Sequence, residues 1–261
     1  MICIGIVYSL VYSISVIKEV GVTIPQLGLG TVSTWTMIRA TAAKTGASDL
    51  LSNNLIANIG QLVFSLIYFS YNRIFTMFSW ALEWESYAKS HKALRVSGIP
   101  RGEQKSKHFL ALPYRIAIPL LIFSGFIHWL ISQSIFLVVI EYRHFDYQSD
   151  SWTRKLSDID KTFSGCGFSP LAIVILSVTI GVMFVALMIT ACWRLKTTMP
   201  LAGNCSAAIA AACHISAGEQ GQEISTSKIR WGVTGYRNDG IGHCSFSKID
   251  VTAPEVDQLY E

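Results

Sequence analysis

Four long apolar runs, separated by polar connections, constrain this chain more than any other feature. They cover about 2–17, 54–77, 114–140 and 171–193. Three of them are long enough to cross the hydrocarbon core of a bilayer, which takes roughly 20 mostly apolar residues as an α-helix. In lipid each backbone amide must be paired within its own segment, so the runs predict helices rather than loops or open sheet. The expectation is an all-α integral membrane protein of four transmembrane helices over 1–193. A small cytosolic α+β tail over 194–261 follows, with a short helix and a β-hairpin.

Charge placement supplies a topology. Only 15% of the residues are charged, and they gather between the runs, so the net charge of +4 follows membrane rules and is no nucleic-acid signature. The first connection holds Lys18, Arg39 and Lys44. The second holds eight basic residues from Arg73 to Arg115 against three acids. In the third, Arg143, Arg154, Lys155 and Lys161 meet five acids: Glu141, Asp146, Asp150, Asp158 and Asp160. Lys and Arg accumulate on the cytoplasmic side of spans. The second connection and the tail, which opens with Arg194 and Lys196, are therefore expected in the cytosol, with both termini inside. The first run is short. It has no basic n-region and a poor cleavage context at Ile17-Lys18-Glu19, which argues against a signal peptide, so it reads as the trailing part of a longer span, with a short signal-anchor helix as the alternative.

Polar residues inside the spans form two stripes. Asn58, Gln61, Ser65, Tyr68 and Asn72 recur at steps of three or four, which places them on one helix face. Ser124, His128 and Ser132 recur at steps of four on the third run, with Gln133 beside them. An ionisable residue within a span is a candidate site. The sharper reading sets the two stripes around a hydrated cavity, with Asn58, Gln61, Ser65, His128, Ser132 and Gln133 as ligand-binding groups. The plainer reading is hydrogen bonding between helices. No acid, Lys or Arg lies well inside any run, which weighs against ion-coupled transport. The basic residues Lys89, Lys92, Arg95, Arg101, Lys105 and Lys107 are candidates for anionic head groups, each gaining about 1 kcal/mol near such a surface. Positive-inside topogenesis alone also explains them.

Beyond the second run, Ile74–Ala88 carries no helix breaker. Trp80, Trp84 and Tyr87 recur there beside Glu83 and Glu85, which predicts a helix continuing past the membrane surface. In the tail, 206–213 reads as a helix. Lys228–Thr234 and Ile241–Ser247 read as strands around a turn at Asn238-Asp239-Gly240. An isolated hairpin is marginal in water, so it should pack on the membrane-proximal part or on a partner. Cys213-His214 and His243-Cys244 form a mirrored pair. Their spacing argues against a zinc site, because adjacent strand residues point to opposite faces and no C-x-x-C or H-x₃₋₅-H accompanies them. The expectation is no metal and no cofactor. No G-x-S-x-G elbow, phosphate loop or H-E-x-x-H occurs, so no catalytic residue is assigned.

Several stretches together carry a resemblance. They are Tyr71-Asn72-Arg73, Glu83-Trp84-Glu85-Ser86-Tyr87, Leu94-Arg95-Val96-Ser97, Leu112-Pro113-Tyr114-Arg115 and His128-Trp129-Leu130-Ile131-Ser132-Gln133-Ser134. Ala211-Ala212-Cys213-His214, Lys228-Ile229-Arg230-Trp231-Gly232-Val233 and His243-Cys244-Ser245-Phe246-Ser247 complete the set. The chain resembles an uncharacterised group of large fungal multi-span membrane proteins over about 58–260. The long N-terminal region of that group, with its own domain of unknown function, has no counterpart here. The resemblance implies a fungal membrane protein and carries no activity, ligand or catalytic residue. The expected function is a non-enzymatic scaffold, sensor or signalling component. It would contact the lipid bilayer and present the basic connection and tail to anionic lipid and cytosolic proteins. The alternative is a transporter or channel subunit that uses the polar stripes.

Overall fold

The computed structural model describes residues 47–108, 111–140, 144–146, 151–153, 163–203, 205–215, 220–255 and 257–260, with short pieces at 28–31 and 36–38 and isolated positions elsewhere. Of the run at 2–17 only Val11, Ile14 and Ser15 are described, and the expectation for it otherwise lies outside the described residues. The fold is mixed α/β, not an all-α bundle with a small tail. Among the described residues it has five helices and ten strands. Three helices are long and apolar enough to cross a membrane: α1 (Ala47–Lys89), α2 (Tyr114–Ser134) and α3 (Pro170–Ala191).

The departure from an all-α bundle has a local cause. The run expected as one span over 114–140 is helical only to Ser134; Ile135–Ile140 is a strand, β5. A continuous apolar run does not by itself distinguish a buried helix from a strand. Ile135, Val138, Val139 and Ile140 are β-branched, which favours the pleat. β5 pairs antiparallel with β8 (Phe163–Phe168), whose other edge carries β1 (Met37–Ile38). Cross-strand partners Phe136 and Gly167 show why Gly-Cys-Gly suits β8. A Cβ on Gly167 would sit 2.6 Å from the Phe136 ring. A separate hairpin joins β6 (His144–Asp146) to β7 (Ser151–Thr153).

Contacts divide the chain into two units: Met1–Phe69 with Leu121–Ile189, and Ser70–Leu120 with Thr190–Glu261. In the first, Phe64, Ile127, Leu130, Ile131 and Ala172 are buried. Leu55, Ile59, Leu62, Leu66 and Phe69 form an exposed stripe on α1, and Val178, Val182, Val185 and Ile189 form another on α3. Apolar stripes of this length left open to water are characteristic of surfaces covered by lipid or protein. Helix α1 has 43 residues. At roughly 1.5 Å per residue that is about 64 Å, twice a hydrocarbon core of roughly 30 Å, so only about half of such a helix can lie in lipid.

The second unit is built on a three-stranded sheet ordered β10 (Gly242–Ser247), β9 (Lys228–Tyr236) and β2 (Lys92–Ala93). Alternation along β9 buries Ile229, Trp231 and Val233. Across from them Cys244 pairs with Val233 and Phe246 with Trp231. Met199, Ala212, Ile224 and Tyr87 of α1 complete this core, with Trp84 and Tyr260 packed against it. Short helices α4 (Ser206–Ala212) and α5 (Gly221–Thr226) lie along the sheet, α4 against β10 and α5 against β9. The hairpin of the tail thus takes its third strand from the basic connection, which also pairs β3 (Arg95–Val96) with β4 (Lys105–Ser106) in parallel.

Candidate functional site

The polar groups of the first unit are largely used within their own helices. Asn58 donates to the Asn54 carbonyl at 2.8 Å and to its Oδ1 at 3.0 Å. Ser65 donates to the Gln61 carbonyl at 2.9 Å, and Ser132 to the Trp129 carbonyl at 2.7 Å. Such i−3 and i−4 bonds satisfy a hydroxyl without a ligand. His128 sets its ring edge-on to Phe64, centroids 4.9 Å apart. The Gln133 carboxamide oxygen lies 2.6 Å from where a Cβ on Gly30 would stand, and Gly30 has φ of +68°. Gln61 and Ser124 are half-buried and buried respectively. The structure therefore brings His128 to Phe64 of the facing helix, while Asn58, Ser65 and Ser132 turn back on their own backbones.

A buried node escaped the sequence. Asn53 is 4% exposed, and its Nδ2 donates to Ser164 Oγ at 3.3 Å. Its carbonyl accepts from the Cys166 thiol at 3.4 Å. No spacing rule joins residues 111 positions apart.

The second unit holds the denser arrangement, centred on the C-terminal turns of α1. The Glu85 carboxylate is buried, accepts the Lys196 backbone N–H at 2.7 Å and pairs with Lys89 at 2.9 Å. These bonds hold its pKa below the ordinary carboxylate value, with the Lys196 amide the largest cause and the Lys89 ammonium next. Trp84 Nε1 donates to the Pro200 carbonyl at 3.1 Å, and the Tyr87 hydroxyl to the Ala93 carbonyl at 3.1 Å. Glu83 pairs with Arg95, whose guanidinium also donates to the Ser106 carbonyl at 3.0 Å. Glu103 accepts the Lys228 N–H at 3.0 Å and pairs with its ammonium at 2.9 Å.

These pairs sort the six basic candidates. Lys89 and Arg95 are engaged in ion pairs with α1 carboxylates. Lys92, Arg101, Lys105 and Lys107 are exposed, and their side chains have no partner among the described residues. Four cations therefore stand open on a connection whose backbone is fixed by the β2–β9 and β3–β4 pairs.

A cavity of about 400 Å³ beside the sheet is lined by Thr198, Pro200, Trp231, Cys244, Pro254 and Tyr260 among others. Burial raises the Cys244 thiol above its ordinary pKa, which leaves it protonated and a poor nucleophile at neutral pH; partial desolvation shifts Cys213 in the same direction although its side chain is exposed. The two imidazoles of the mirrored pair meet: His214 Nδ1 lies 3.4 Å from His243 Nε2. Among the described residues no three His, Cys, Asp or Glu side chains gather as a metal cage.

Residues 1–239 match the family described as a domain of unknown function, DUF8419. The chain belongs to that family. The match takes in α1 to α5 and β9 and ends at Asp239, so it covers the first unit and part of the second, while β10 and 240–261 lie beyond it. No curated protein and no solved structure matches the chain.

Proposed function

We propose that this protein is a multi-pass membrane scaffold or sensor whose second unit is a folded platform on the cytosolic side. The observation that carries the reading is convergence. The end of α1, the basic connection and the tail are separated by up to about 150 residues of sequence, yet they share one core through Tyr87, Ala93, Trp231 and Phe246. A tail that served only as a tether would not need a buried Glu85 to hold Lys196 or a third strand from Lys92–Ala93. The positive-inside balance supports the cytosolic side for this unit, with both termini inside. The local use of Asn58, Ser65 and Ser132 supports a scaffold over a transport path, because those groups have little left to offer a solute.

The test is proximity labelling from the C-terminus in native membranes, comparing the parent chain with Phe246→Ala. Partners that disappear while membrane insertion persists support the platform. A partner set unchanged by Phe246→Ala, together with solute flux abolished by His128→Ala or Gln61→Leu, overturns it in favour of transport. Vesicle binding by the full chain, with Lys92, Arg101, Lys105 and Lys107 changed to Gln, tests whether anionic lipid is one of the partners.

A further inference from the structure

We propose that His214 and His243 form a two-imidazole site for a divalent transition metal on the outer face of the tail domain. His214 follows α4 by two residues, and His243 lies in β10, against which α4 packs. The site therefore joins two elements whose sequence positions are 29 apart. Its geometry fits the chemistry. Two nitrogens bound to one tetrahedral ion at about 2.0–2.1 Å lie about 3.3–3.4 Å apart, and His214 Nδ1 and His243 Nε2 stand 3.4 Å apart. The rings are near-perpendicular, at 83°, and so do not stack on one another.

The backbone explains why only the histidines converge. A bulge in the β9–β10 register falls between His243 and Cys244. Cys244 turns into the core, while His243 is half-buried beside exposed His214. Alternation along β10 therefore removes Cys244, while exposed Cys213 does not gather with the two rings as a third ligand among the described residues. With no third side chain of the right kind nearby among the described residues, water completes the coordination. Imidazole ligands favour Zn²⁺, Ni²⁺ and Cu²⁺ over Mg²⁺ or Ca²⁺. Without metal, the same pair makes a ring-to-ring hydrogen bond, and His243 Nε2 also lies 3.3 Å from the His214 carbonyl. The ring-to-ring contact uses one nitrogen as donor and the other as acceptor, whereas a metal takes a lone pair from each, so the donor ring must carry its N–H on its other nitrogen when the ion is bound. The ion would lock α4 to β10 and stiffen the wall of the adjacent cavity, which Ala208, Ala211 and Cys244 help to line.

The experiment uses the full chain in detergent micelles, purified without a polyhistidine tag, titrated with NiCl₂ and ZnCl₂ by calorimetry and thermal shift. One ion per chain, a saturable rise in Tm reversed by EDTA, and at least a tenfold loss of affinity in each of His214→Ala and His243→Ala support the site. Binding that persists in the double variant places the ion on exposed thiols such as Cys205 and overturns the proposal, as does the absence of saturable binding. Should the alanine variants misfold, His243→Gln retains a hydrogen-bonding side chain. Metal-dependent protection of His214 and His243 from diethyl pyrocarbonate in the parent chain then gives an independent readout, and unprotected rings overturn the site.

Discussion

Replacing Phe246 with Ala should release the tail from α1. Phe246 is 7% exposed and meets two rings of α1 edge-on: Trp84 at 5.4 Å and Tyr87 at 5.6 Å between centroids. It also faces Trp231 across the β9–β10 ladder. A phenylalanine buries about 150–250 Å², which at about 25 cal/mol per Å² is worth roughly 4–6 kcal/mol as an upper bound. Measured Phe→Ala changes in cores cost about 3–5 kcal/mol, which agrees. Phe246→Leu keeps most of the apolar volume and loses the two edge-to-face contacts, at about 0.5–1.5 kcal/mol each.

The readout is trypsin cleavage at Lys228 and Arg230. Both lie within β9, so cutting requires the sheet to open. When opening is fast relative to cleavage, the cutting rate follows the open population. A loss of about 3–5 kcal/mol, at a factor of ten per 1.4 kcal/mol, raises that rate between about 100-fold and a few thousand-fold, limited by the unit's own stability. Phe246→Leu should fall about ten- to a hundredfold above the parent, with the low end set by packing that compensates. Cleavage within threefold of the parent for Phe246→Ala would refute the shared core. So would equal rates for Leu and Ala, since the two side chains differ in buried volume by most of the effect.

Acid should loosen the Glu85 clamp. Its folded pKa lies below the unfolded value, so its contribution to stability is complete above the unfolded pKa and lost as pH falls through the folded one; Tm measured from pH 7 to pH 3 should drop less steeply in Glu85→Gln than in the parent. Gly167→Val should disrupt the β5–β8 pair, because its side chain would occupy the Phe136 ring, and Phe136→Ala should restore part of the lost Tm. Changing Lys92, Arg101, Lys105 and Lys107 together to Gln should lower binding to phosphatidylserine vesicles by at least tenfold at low salt. The Lys89→Gln change should alter Tm more than lipid binding, since Lys89 serves Glu85.

Short-range signals were legible where chemistry is local. The unbroken path from Ile74 to Ala88 reads as helix and lies inside α1, which ends at Lys89. Turn chemistry at Asn238-Asp239-Gly240 foretells the hairpin, and Gly240 does take φ of +82°. The end of α2 was not legible. Ile135–Ile140 is as apolar as the helix before it, and only pairing with a distant glycine-bearing strand decides its conformation. The same limit hid the Asn53 node and the Glu85 clamp. Each depends on a partner more than 100 residues away, and hydropathy carries no information about who that partner is. Strand alternation accounts for the inward turn of Cys244 and is silent about His214, which the end of α4 brings to His243.

The closure of the tail sheet says how such a platform can be used. An open strand edge invites pairing with another chain, and stable domains cover or shorten it. Here β9 is flanked at one end by the two residues of β2 and further along by Thr252, which bridges Val233. Gly232 permits that approach, because a Cβ there would lie 2.5 Å from the Thr252 carbonyl. At the other edge Tyr260 bridges Gly242, and its ring lies 2.5 Å from where a Gly242 Cβ would stand. Each edge is thus met at a glycine-dependent point by this chain's own residues. A partner that adds a strand across Val233 or Gly242 would have to displace the bridge from Thr252 or Tyr260, whereas one that docks on side chains can use the open basic connection and the cavity beside Trp231 with the sheet intact. Gly232→Ala separates these routes, since it should expel the C-terminal segment and expose the edge. If that variant gains self-association while the parent stays monomeric, the C-terminal segment acts as a guard for the sheet rather than as a passive end.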